Sequence, residues 1–339
     1  MKILITGGAG FIGTNTAIYF ASQNHQITIV DNLSRSGVKT NAEYIHNKYP
    51  NVKLIVSDIL EAENYLEDLK SADFIIHLAG QTAVTSSIED PRNDFRNNVW
   101  ASFNLLENVR KYNPNAVLLY SSTNKVYGDL NHHELKLNEE NKKYENITCP
   151  NGVDEKESLN FISPYGCSKG ASDQYFLDYA RIYDLKTVVF RQSCIYGQFQ
   201  MGVEDQGWVA HFSKQFLMKR PIQLFGNGYQ VRDLLFVQDL VKAYQLAFEK
   251  INVAKGQAFN IGGGVNNSFS LLNVIEMLEK QIVNKVEVKF SEPRKGDQLY
   301  FVSNNDKFCK LTGWKVETQF EKGLIDMVGW QKENIDLIK

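Results

Sequence analysis

Cysteine is scarce in this chain, and its four copies are spread too widely to form a recognisable site. Cys149, Cys167, Cys194 and Cys309 show no C-x-x-C spacing, which supports neither a cysteine zinc site nor a disulfide framework. We therefore expect no bound metal and a reducing, cytoplasmic environment.

Long apolar runs are also missing. No stretch approaches the roughly 20 apolar residues of a membrane helix, and glycines interrupt the N-terminal apolar stretch, unlike a signal peptide. We predict neither secretion nor membrane association.

Basic charge is not in excess either. The 37 lysines and arginines are balanced by 39 aspartates and glutamates, and the net charge is −2. This balance is typical of an ordinary protein surface and predicts no nucleic-acid partner. The 339 residues exceed one typical domain of about 150 residues. We therefore expect either two lobes or one domain with a large elaboration.

The chain opens with a short apolar strand that leads into a glycine loop and a helix. Gly7, Gly10 and Gly13 follow the spacing G-x-x-G-x-x-G, which permits a tight turn and a close approach of the backbone to a pyrophosphate. The N-terminus of the following helix offers free N–H groups to the same anion. A second apolar strand ends on Asp31, where a carboxylate can bind the two ribose hydroxyls. This context favours a dinucleotide site over a tight turn that binds no ligand.

Apolar runs and helical patterns alternate through the first half of the chain. The runs that predict strands lie at 2–6, 26–30, 52–56, 73–78, 116–120 and 186–191. The helical patterns between them include 40–49, 94–112 and 164–183. Continuous apolar strands that alternate with helices are typical of a parallel sheet covered on both faces. We predict an α/β fold, a Rossmann-type doubly wound parallel sheet, with a smaller interleaved C-terminal substrate-binding lobe.

The alternation weakens after residue 192, where we expect the second lobe to begin. Before this point, a polar insertion at 129–160 interrupts the alternating pattern. We assign 1–192 to the NAD-binding domain, with returning segments at about 231–262. The smaller nucleotide-sugar-binding lobe then consists of 193–230 and 263–339.

The carboxyl ends of the predicted strands define the remaining candidates for the cofactor site, because open α/β sheets bind ligands at that edge. These candidates are Phe11, Ile12, Asn32, Ser34, Arg35, Asp58, Ile59, Leu78, Ala79, Gly80, Gln81 and Ser121. Asp58 has two equally supported interpretations: contact with the adenine end of the cofactor, or a helix cap.

Tyr165 and Lys169 lie four residues apart on one face of a predicted helix. A tyrosine with the usual pKa near 10 is a poor base at pH 7, and a neighbouring ammonium would favour the phenolate. A hydroxyl of Thr123 or Ser122, at a strand end, would share the proton of a substrate hydroxyl with Tyr165. Such a Tyr–Lys pair is a common accident on helices, but together with the dinucleotide loop it predicts hydride-transfer chemistry.

These motifs together resemble the extended short-chain dehydrogenase/reductase family of nucleotide-sugar epimerases and dehydratases. The resemblance covers nearly the whole chain and implies that Thr123 is the hydroxyl partner, Tyr165 the base and Lys169 its pKa-lowering, ribose-binding neighbour. It also matches Asp31 to recognition of the NAD ribose. Arg35 could meet a 2′-phosphate, but Asp31 would repel it, so we predict NAD rather than NADP.

Three departures narrow the resemblance within the family. Dehydratases carry an acid pair where this chain has Asn124 and Lys125, and 4-epimerases carry asparagine where it has Cys194. The segments 121–129, 164–171, 205–208 and 226–233 look most like epimerases of CDP-linked dideoxyhexoses. That likeness implies oxidation by NAD at sugar C2 and return of the hydride to the opposite face. A UDP-hexose 4-epimerase, a 4,6-dehydratase and a non-enzymatic NAD sensor are the alternatives.

A nucleotide-sugar substrate, preferably a CDP-sugar, requires cations for its diphosphate. Arg232 and Arg294 are our candidates, unless they are ordinary exposed arginines. Trp208 either borders the nucleotide or belongs to a helix core, and Asn124 and Lys125 either shape the sugar pocket or support it from behind. The full predicted substrate site is Thr82, Ser122, Thr123, Asn124, Lys125, Gln192, Gln206, Gly207, Trp208, Arg232, Arg294 and Asp297. The resemblance also implies a homodimer or homotetramer paired through helices 94–112 and 164–183.

Overall fold

The computed structural model describes residues 1–35, 37–294 and 296–338. Its strands in chain order are β1 (Lys2–Thr6), β2 (Gln26–Asp31), β3 (Lys53–Val56), β4 (Phe74–His77), β5 (Val117–Thr123), β6 (Leu135–Asn138), β7 (Lys143–Asn146), β8 (Lys186–Gln192), β9 (Cys194–Tyr196), β10 (Ile222–Phe225), β11 (Val231–Phe236), β12 (Gln257–Ile261), β13 (Ser268–Ser270), β14 (Val288–Ser291) and β15 (Tyr300–Phe301).

Helices occupy much of the remaining chain. In order they are α1 (Phe11–Ala21), α2 (Val38–Lys48), α3 (Leu66–Ser71), α4 (Val84–Glu89), α5 (Pro91–Phe95), α6 (Ala101–Tyr112), α7 (Ser163–Tyr183), α8 (Trp208–Met218), α9 (Val237–Glu249), α10 (Ile251–Ala254), α11 (Leu271–Ile282), α12 (Asp306–Thr312), α13 (Phe320–Glu333) and α14 (Ile335–Ile338). Among the described residues, none of these helices is both long and apolar enough to cross a membrane.

Seven parallel strands form the central sheet in the order β12-β8-β5-β4-β1-β2-β3. The strand order reverses direction at β1, whose neighbours are β2 and β4. Side chains alternate between the faces: Ile3 and Ile5 join the core beneath α1 and α9, whereas Leu4 joins the core beneath α6 and α7. The predicted Rossmann-type doubly wound sheet is confirmed, and it places the carboxyl ends of β1, β4 and β5 side by side.

The second lobe is built around a four-stranded sheet of β13, β11, β15 and β9, with β10 and β14 paired beside it. Its core includes Phe216, Leu278 and Phe320. Because β11 belongs to this sheet, the chain returns to the large sheet only with α9 and β12, and not at about 231 as predicted. Every residue of β11 is buried, so its apolar character alone did not reveal which sheet it joins.

Two local features differ from the sequence-based expectation. The predicted helix 94–112 is α5 and α6 joined through a π-helical turn at Arg96–Trp100. The polar insertion 129–160 contains the antiparallel hairpin of β6 and β7, which was not predicted. Its strands are half exposed and polar, and they lack the regular apolar alternation that marks a hairpin in sequence.

Candidate functional site

A cleft of about 650 Å³ lies between the lobes at the carboxyl edge of the central sheet. Many of the predicted site residues line it together: Phe11, Ile12, Leu78, Gly80, Gln81, Thr82, Ser121, Ser122, Thr123, Asn124, Lys125, Tyr165, Lys169, Gln192, Gln206, Gly207, Trp208, Arg232, Arg294 and Asp297. The other candidates lie in the glycine loop and the first turn of α1, at the end of β2, and in the loops after β2, β3 and β4; they are Gly7, Gly10, Gly13, Asp31, Asn32, Ser34, Arg35, Asp58, Ile59 and Ala79.

The glycine loop forms a narrow cradle beside β4. Gly7 has a φ of 68°, and a Cβ there would lie 2.7 Å from the Ala79 nitrogen. A Cβ on Gly13 would lie 2.5 Å from the Gly7 oxygen, so helix α1 packs on the loop only because this position has no side chain. Gly10 is the N-cap of α1 and has no side chain to bond the first turn. The cradle therefore fits a pyrophosphate at the helix N-terminus.

Asp31 faces this loop from the end of β2. Its carboxylate accepts the backbone N–H groups of Ala9 at 3.1 Å and Leu33 at 2.9 Å. Burial raises the pKa of Asp31, while these bonds and the nearby Arg35 oppose the rise. Each carboxylate oxygen has a further lone pair, so Asp31 can still accept from the ribose hydroxyls of a dinucleotide.

Asp58, after β3, is engaged within the protein. One of its oxygens accepts the Leu60 N–H at 3.0 Å, and the other pairs with Arg96 at 3.2 Å. Asp58 is not a helix cap, because the short helix that follows, Ala62–Asn64, has Glu61 at its N-cap. Contact of Asp58 with adenine stays a prediction.

The predicted reaction centre assembles at the end of β5 and the first turns of α7. Burial raises the pKa of Tyr165 to about 12, against a hydrogen bond with Thr123 that lowers it. Lys169 donates from Nζ to the Ser121 carbonyl at 2.5 Å and lies 4.3 Å from the Tyr120 ring centroid. Burial lowers the pKa of Lys169 to about 7, although Asp173 and Asp94 oppose the shift.

This electrostatic arrangement differs from the expected one, in which the ammonium of Lys169 depresses the pKa of Tyr165. The Nζ of Lys169 is turned toward a carbonyl, and its pKa near 7 leaves it only partly charged at neutral pH. Desolvation of the phenol is then the dominant effect. In the protein alone, Tyr165 therefore stays protonated at neutral pH.

The two hydroxyl candidates have different surroundings. Ser122 donates at 2.8 Å to the buried carboxylate of Asp173, which also pairs with Arg191 at 2.9 Å. Thr123 contacts Tyr165, which makes it the better-placed partner of the two. Gln192, another predicted substrate residue, donates its amide to the Tyr244 hydroxyl at 2.8 Å. The polar groups of Ser122 and Gln192 therefore serve contacts within the protein.

Asn98 was not predicted, although it lies behind the reaction centre. Its amide nitrogen donates to Asp94 at 3.0 Å and Ser168 at 3.1 Å. A Cβ on Gly80 would lie 2.5 Å from the Asn98 oxygen, which is buried without a partner in the described part of the chain. The π-helical turn places Asn98 here, and helical periodicity in the sequence does not signal such a turn.

Four other buried oxygens along the cleft also lack a hydrogen-bond partner among the described residues. They belong to Gln81, Thr85, Gln200 and Gln230. Buried polar atoms are normally paired, so these oxygens are available to bond a ligand or water in the cleft. Thr85, Gln200 and Gln230 were not among the predicted site residues.

The opposite end of the cleft contains a cluster of opposite charges. Asp297 accepts from Arg232 at 2.7 Å and Lys125 at 3.2 Å. Burial would raise the pKa of Asp297, but Arg232 and then Lys125 outweigh it and hold the pKa at about 2. Gln298 links this cluster to β5, since it accepts from Asn124 at 3.2 Å and donates to the Gly128 carbonyl at 2.6 Å.

Arg294 lies at the same end, where its guanidinium stacks 3.9 Å from the Phe225 ring centroid and pairs with Asp205 at 2.9 Å. The arginine is therefore not a free surface charge. Trp208 satisfies both interpretations, because it borders the cleft and also packs 5.4 Å from the Phe212 ring within the second lobe.

The segment 198–207 runs across the cleft and contacts both halves of it. Its Phe199 carbonyl accepts from Asn41 at 3.3 Å, and the side chain of Gln206 accepts from Arg35. On the other side, its Asp205 pairs with Arg294. One short segment thus connects the loop after β2 with the predicted diphosphate residue.

One cluster outside the cleft has the composition of a metal site: His132, His133 and Glu157. Asn146 accepts the Cys149 N–H through Oδ1, so its Nδ2 faces Nδ1 of His133 at 2.9 Å. His133 then carries its proton on Nε2 and donates it to Glu157 at 2.9 Å. A metal ion at this cluster would have to replace the proton on Nε2 of His133. The hydrogen bonds therefore favour a structural role, in which His133 links Asn146 to Glu157.

The chain belongs to the NAD dependent epimerase/dehydratase family, which it matches over residues 3–262. It is 42% identical to the CDP-paratose 2-epimerase of Salmonella typhi over 97% of this chain and 99% of that protein. The predicted family is confirmed, and NAD is confirmed as the cofactor of that family.

Solved structures agree with this assignment. The UDP-glucose 4-epimerase of Thermotoga maritima, solved with UDP-glucose, is 28% identical with a TM-score of 0.84, over 99% of this chain and 100% of that one. The UDP-glucose 4-epimerase of Thermus thermophilus, solved with NAD, is 26% identical with a TM-score of 0.80, over 98% and 99% of the two chains.

Proposed function

We propose that this protein converts CDP-paratose to CDP-tyvelose by epimerisation at C2 through a 2-keto intermediate. The observation that carries the proposal is the continuity of the cleft, which joins the Thr123–Tyr165 pair to an end of paired charges that contains Arg232. The near full-length identity of 42% to a CDP-paratose 2-epimerase supports this choice of substrate. A diphosphate would take the place of carboxylates beside Arg232 and Arg294, and the sugar would then extend toward Tyr165.

NAD, when bound on the glycine cradle, supplies the acceptor and donor of the hydride. Tyr165 must first lose its own proton to solvent, because only the phenolate accepts the proton of the C2 hydroxyl and returns it when the ketone is reduced. Thr123 holds the same hydroxyl by a hydrogen bond. Lys169, with a pKa of about 7, adjusts the positive charge beside Tyr165 by gaining or losing a proton near neutral pH. Its bond to the Ser121 carbonyl keeps the ammonium group at the end of β5.

The side chains after Thr123 favour epimerisation over dehydration. Loss of water from a sugar needs an acid and a base at the leaving hydroxyl. This chain has Asn124, which bonds Gln298, and Lys125, which pairs with Asp297. Neither side chain supplies a carboxyl group.

Deuterium at C2 of CDP-paratose tests the proposal directly. Return of the same hydride predicts CDP-tyvelose that retains the label at C2, measured by mass spectrometry and NMR. Loss of the label to solvent would contradict the mechanism. Turnover of UDP-glucose and not CDP-paratose would instead support the second candidate, a UDP-hexose 4-epimerase, which the similarity to the Thermotoga maritima enzyme favours.

We also propose that two copies pair through α5, α6 and α7. This face exposes large apolar side chains, namely Phe95, Trp100, Tyr175, Ile182 and Tyr183. Clusters of exposed apolar residues mark interaction surfaces. Light scattering should give at least a dimer, and Ile182→Asp should shift it toward a monomer. Val283→Asp, at an exposed apolar residue of the other lobe, is the control, and a wild-type monomer would reject this interface.

A further inference from the structure

The hairpin of β6 and β7 reaches the substrate end of the cleft from outside. Leu135 and Tyr144 of this hairpin pack against the cluster of Val231, Tyr300 and Val302. Val231 begins β11, the strand that contains Arg232. The insertion is therefore attached to the second lobe at the base of the predicted diphosphate site.

Tyr144 holds the turn at residues 226–230 at two points. Its backbone N–H donates to the Tyr229 carbonyl at 3.2 Å, and its hydroxyl accepts from Asn227 Nδ2 at 2.9 Å. The other amide atom of Asn227 accepts the Tyr229 N–H at 3.1 Å. The turn is thereby closed on itself and bound to the hairpin.

A second element holds the same turn from the opposite side. The N–H of Leu272, in the first turn of α11, donates to the Gly228 carbonyl at 3.2 Å. Gly228 has a φ of 80°, and a Cβ there would lie 2.8 Å from the Leu272 side chain. The turn therefore fits closely between the hairpin and α11, and its position depends on both.

The turn directs two groups into the cleft. Gln230 is only 6% exposed and donates its amide nitrogen to the Phe225 carbonyl at 2.6 Å. This bond leaves its Oε1 as a buried acceptor, without a partner among the described residues, that lines the cleft. Arg232 follows two residues later and points its guanidinium at Asp297. A shift of the turn would displace the acceptor of Gln230 and the start of β11 together.

We propose that Tyr144 is a positioning residue for nucleotide recognition: through Asn227 it sets the turn that presents Gln230 and Arg232 to the nucleotide part of the substrate. This role rests on the proposed function, because it assumes that the nucleotide occupies the Arg232 end of the cleft. It assigns to the insertion 129–160 a part in binding and none in the hydride transfer.

Tyr144→Phe is a sharp test because it keeps the ring and the backbone N–H and removes the hydroxyl. Loss of one neutral hydrogen bond predicts a rise of about fivefold in KM for the nucleotide sugar, with kcat within twofold of wild type. The Kd for CDP or UDP, measured by calorimetry, should rise by a similar factor. Lys136→Met is the matched control: it changes an exposed residue of β6 in the same hairpin, away from the turn and from α11, and should leave KM unchanged.

Asn227→Ala tests independently whether Tyr144 acts through its hydrogen bond with Asn227. If Tyr144 acts through Asn227, the double variant should bind no more weakly than Asn227→Ala alone. Unchanged KM and Kd in Tyr144→Phe, additive losses in the double variant, or an equal loss in Lys136→Met would each overturn the proposal. Wild-type protein that binds CDP or UDP but turns over neither CDP-paratose nor UDP-glucose would contradict the proposed function. The Kd values of wild type and Tyr144→Phe would still decide the role of Tyr144.

Discussion

At one end of the cleft, Thr123, Tyr165 and Lys169 are buried within the large lobe and held by β5 and α7. At the other end, Lys125, Arg232 and Asp297 come from three distant parts of the chain and are held mainly by their charges. The first end relies on the central sheet and α7. The second relies on β11 of the smaller lobe, on loops, on an inserted hairpin and on ion pairs. In the proposed function, the chemistry therefore depends on the central sheet, whereas substrate recognition depends on contacts between distant segments.

The largest effect should come from the buried end. Tyr165→Phe removes the proton carrier and keeps the ring, so kcat should fall by about 1,000-fold with little change in KM. Steady-state kinetics with CDP-paratose measures this, and circular dichroism monitors the fold. Full turnover by the variant would show that another group carries the proton.

A change at the charged end should instead affect binding. Arg232→Met removes a buried guanidinium and leaves Asp297 without its nearest partner, so KM should rise by about 100-fold. Arg220→Met, at an exposed arginine after α8, should bind as wild type does. A fall in kcat at unchanged KM would remove the distinction between the two ends.

The protonation of Lys169 predicts a pH dependence of stability. Its pKa is about 7 in the folded protein and 10.5 when exposed, so between these values the unfolded chain binds more protons. The contribution of Lys169 to stability therefore rises with pH across this window, by up to about 1.4 kcal/mol per unit. Urea unfolding of wild type and Lys169→Met at pH 7, 8 and 9 should show that slope in wild type only. If the free energies of unfolding of wild type and Lys169→Met changed in parallel with pH, the burial of Lys169 as a neutral amine would be contradicted.

The smallest effect on turnover is expected at Ser122. Its hydroxyl bonds Asp173, so Ser122→Ala should lower the free energy of unfolding by about 2 kcal/mol and leave kcat within twofold. Ser22→Ala, at an exposed serine after α1, serves as the control. A large fall in kcat in Ser122→Ala would mean that both hydroxyls after β5 take part in the reaction.

The regular parts of the molecule could be predicted because their signals are local. Apolar runs marked the strands of the large sheet up to β8, and glycine spacing with Asp31 identified the dinucleotide loop. Tyr165 and Lys169 fall on one helix as their spacing required. These features depend on neighbouring residues, which a sequence displays directly.

The parts that could not be predicted depend on distant contacts. The π-helical turn at Asn98 interrupts a regular helical pattern, and the partner of Ser122 is Asp173, far along the chain. The pKa of Tyr165 could not be predicted from the sequence for the same reason. The spacing of the two residues predicted that Lys169 lowers the pKa of Tyr165. Burial, which only the assembled fold creates, raises that pKa and has the larger effect.

The late arrival of β12 has a consequence for synthesis of the protein. Its neighbour β8 ends at Gln192, but β12 begins only at Gln257, after the part of the second lobe from β9 to β11 and then α9 have been made. A ribosome that adds about 5 to 20 residues per second leaves the β8 edge uncovered for several seconds. During that interval the emerging chain exposes the edge of β8 that does not face β5, and such an edge is a template for wrong pairing. Nascent chains that end before β12 should therefore depend most on chaperones.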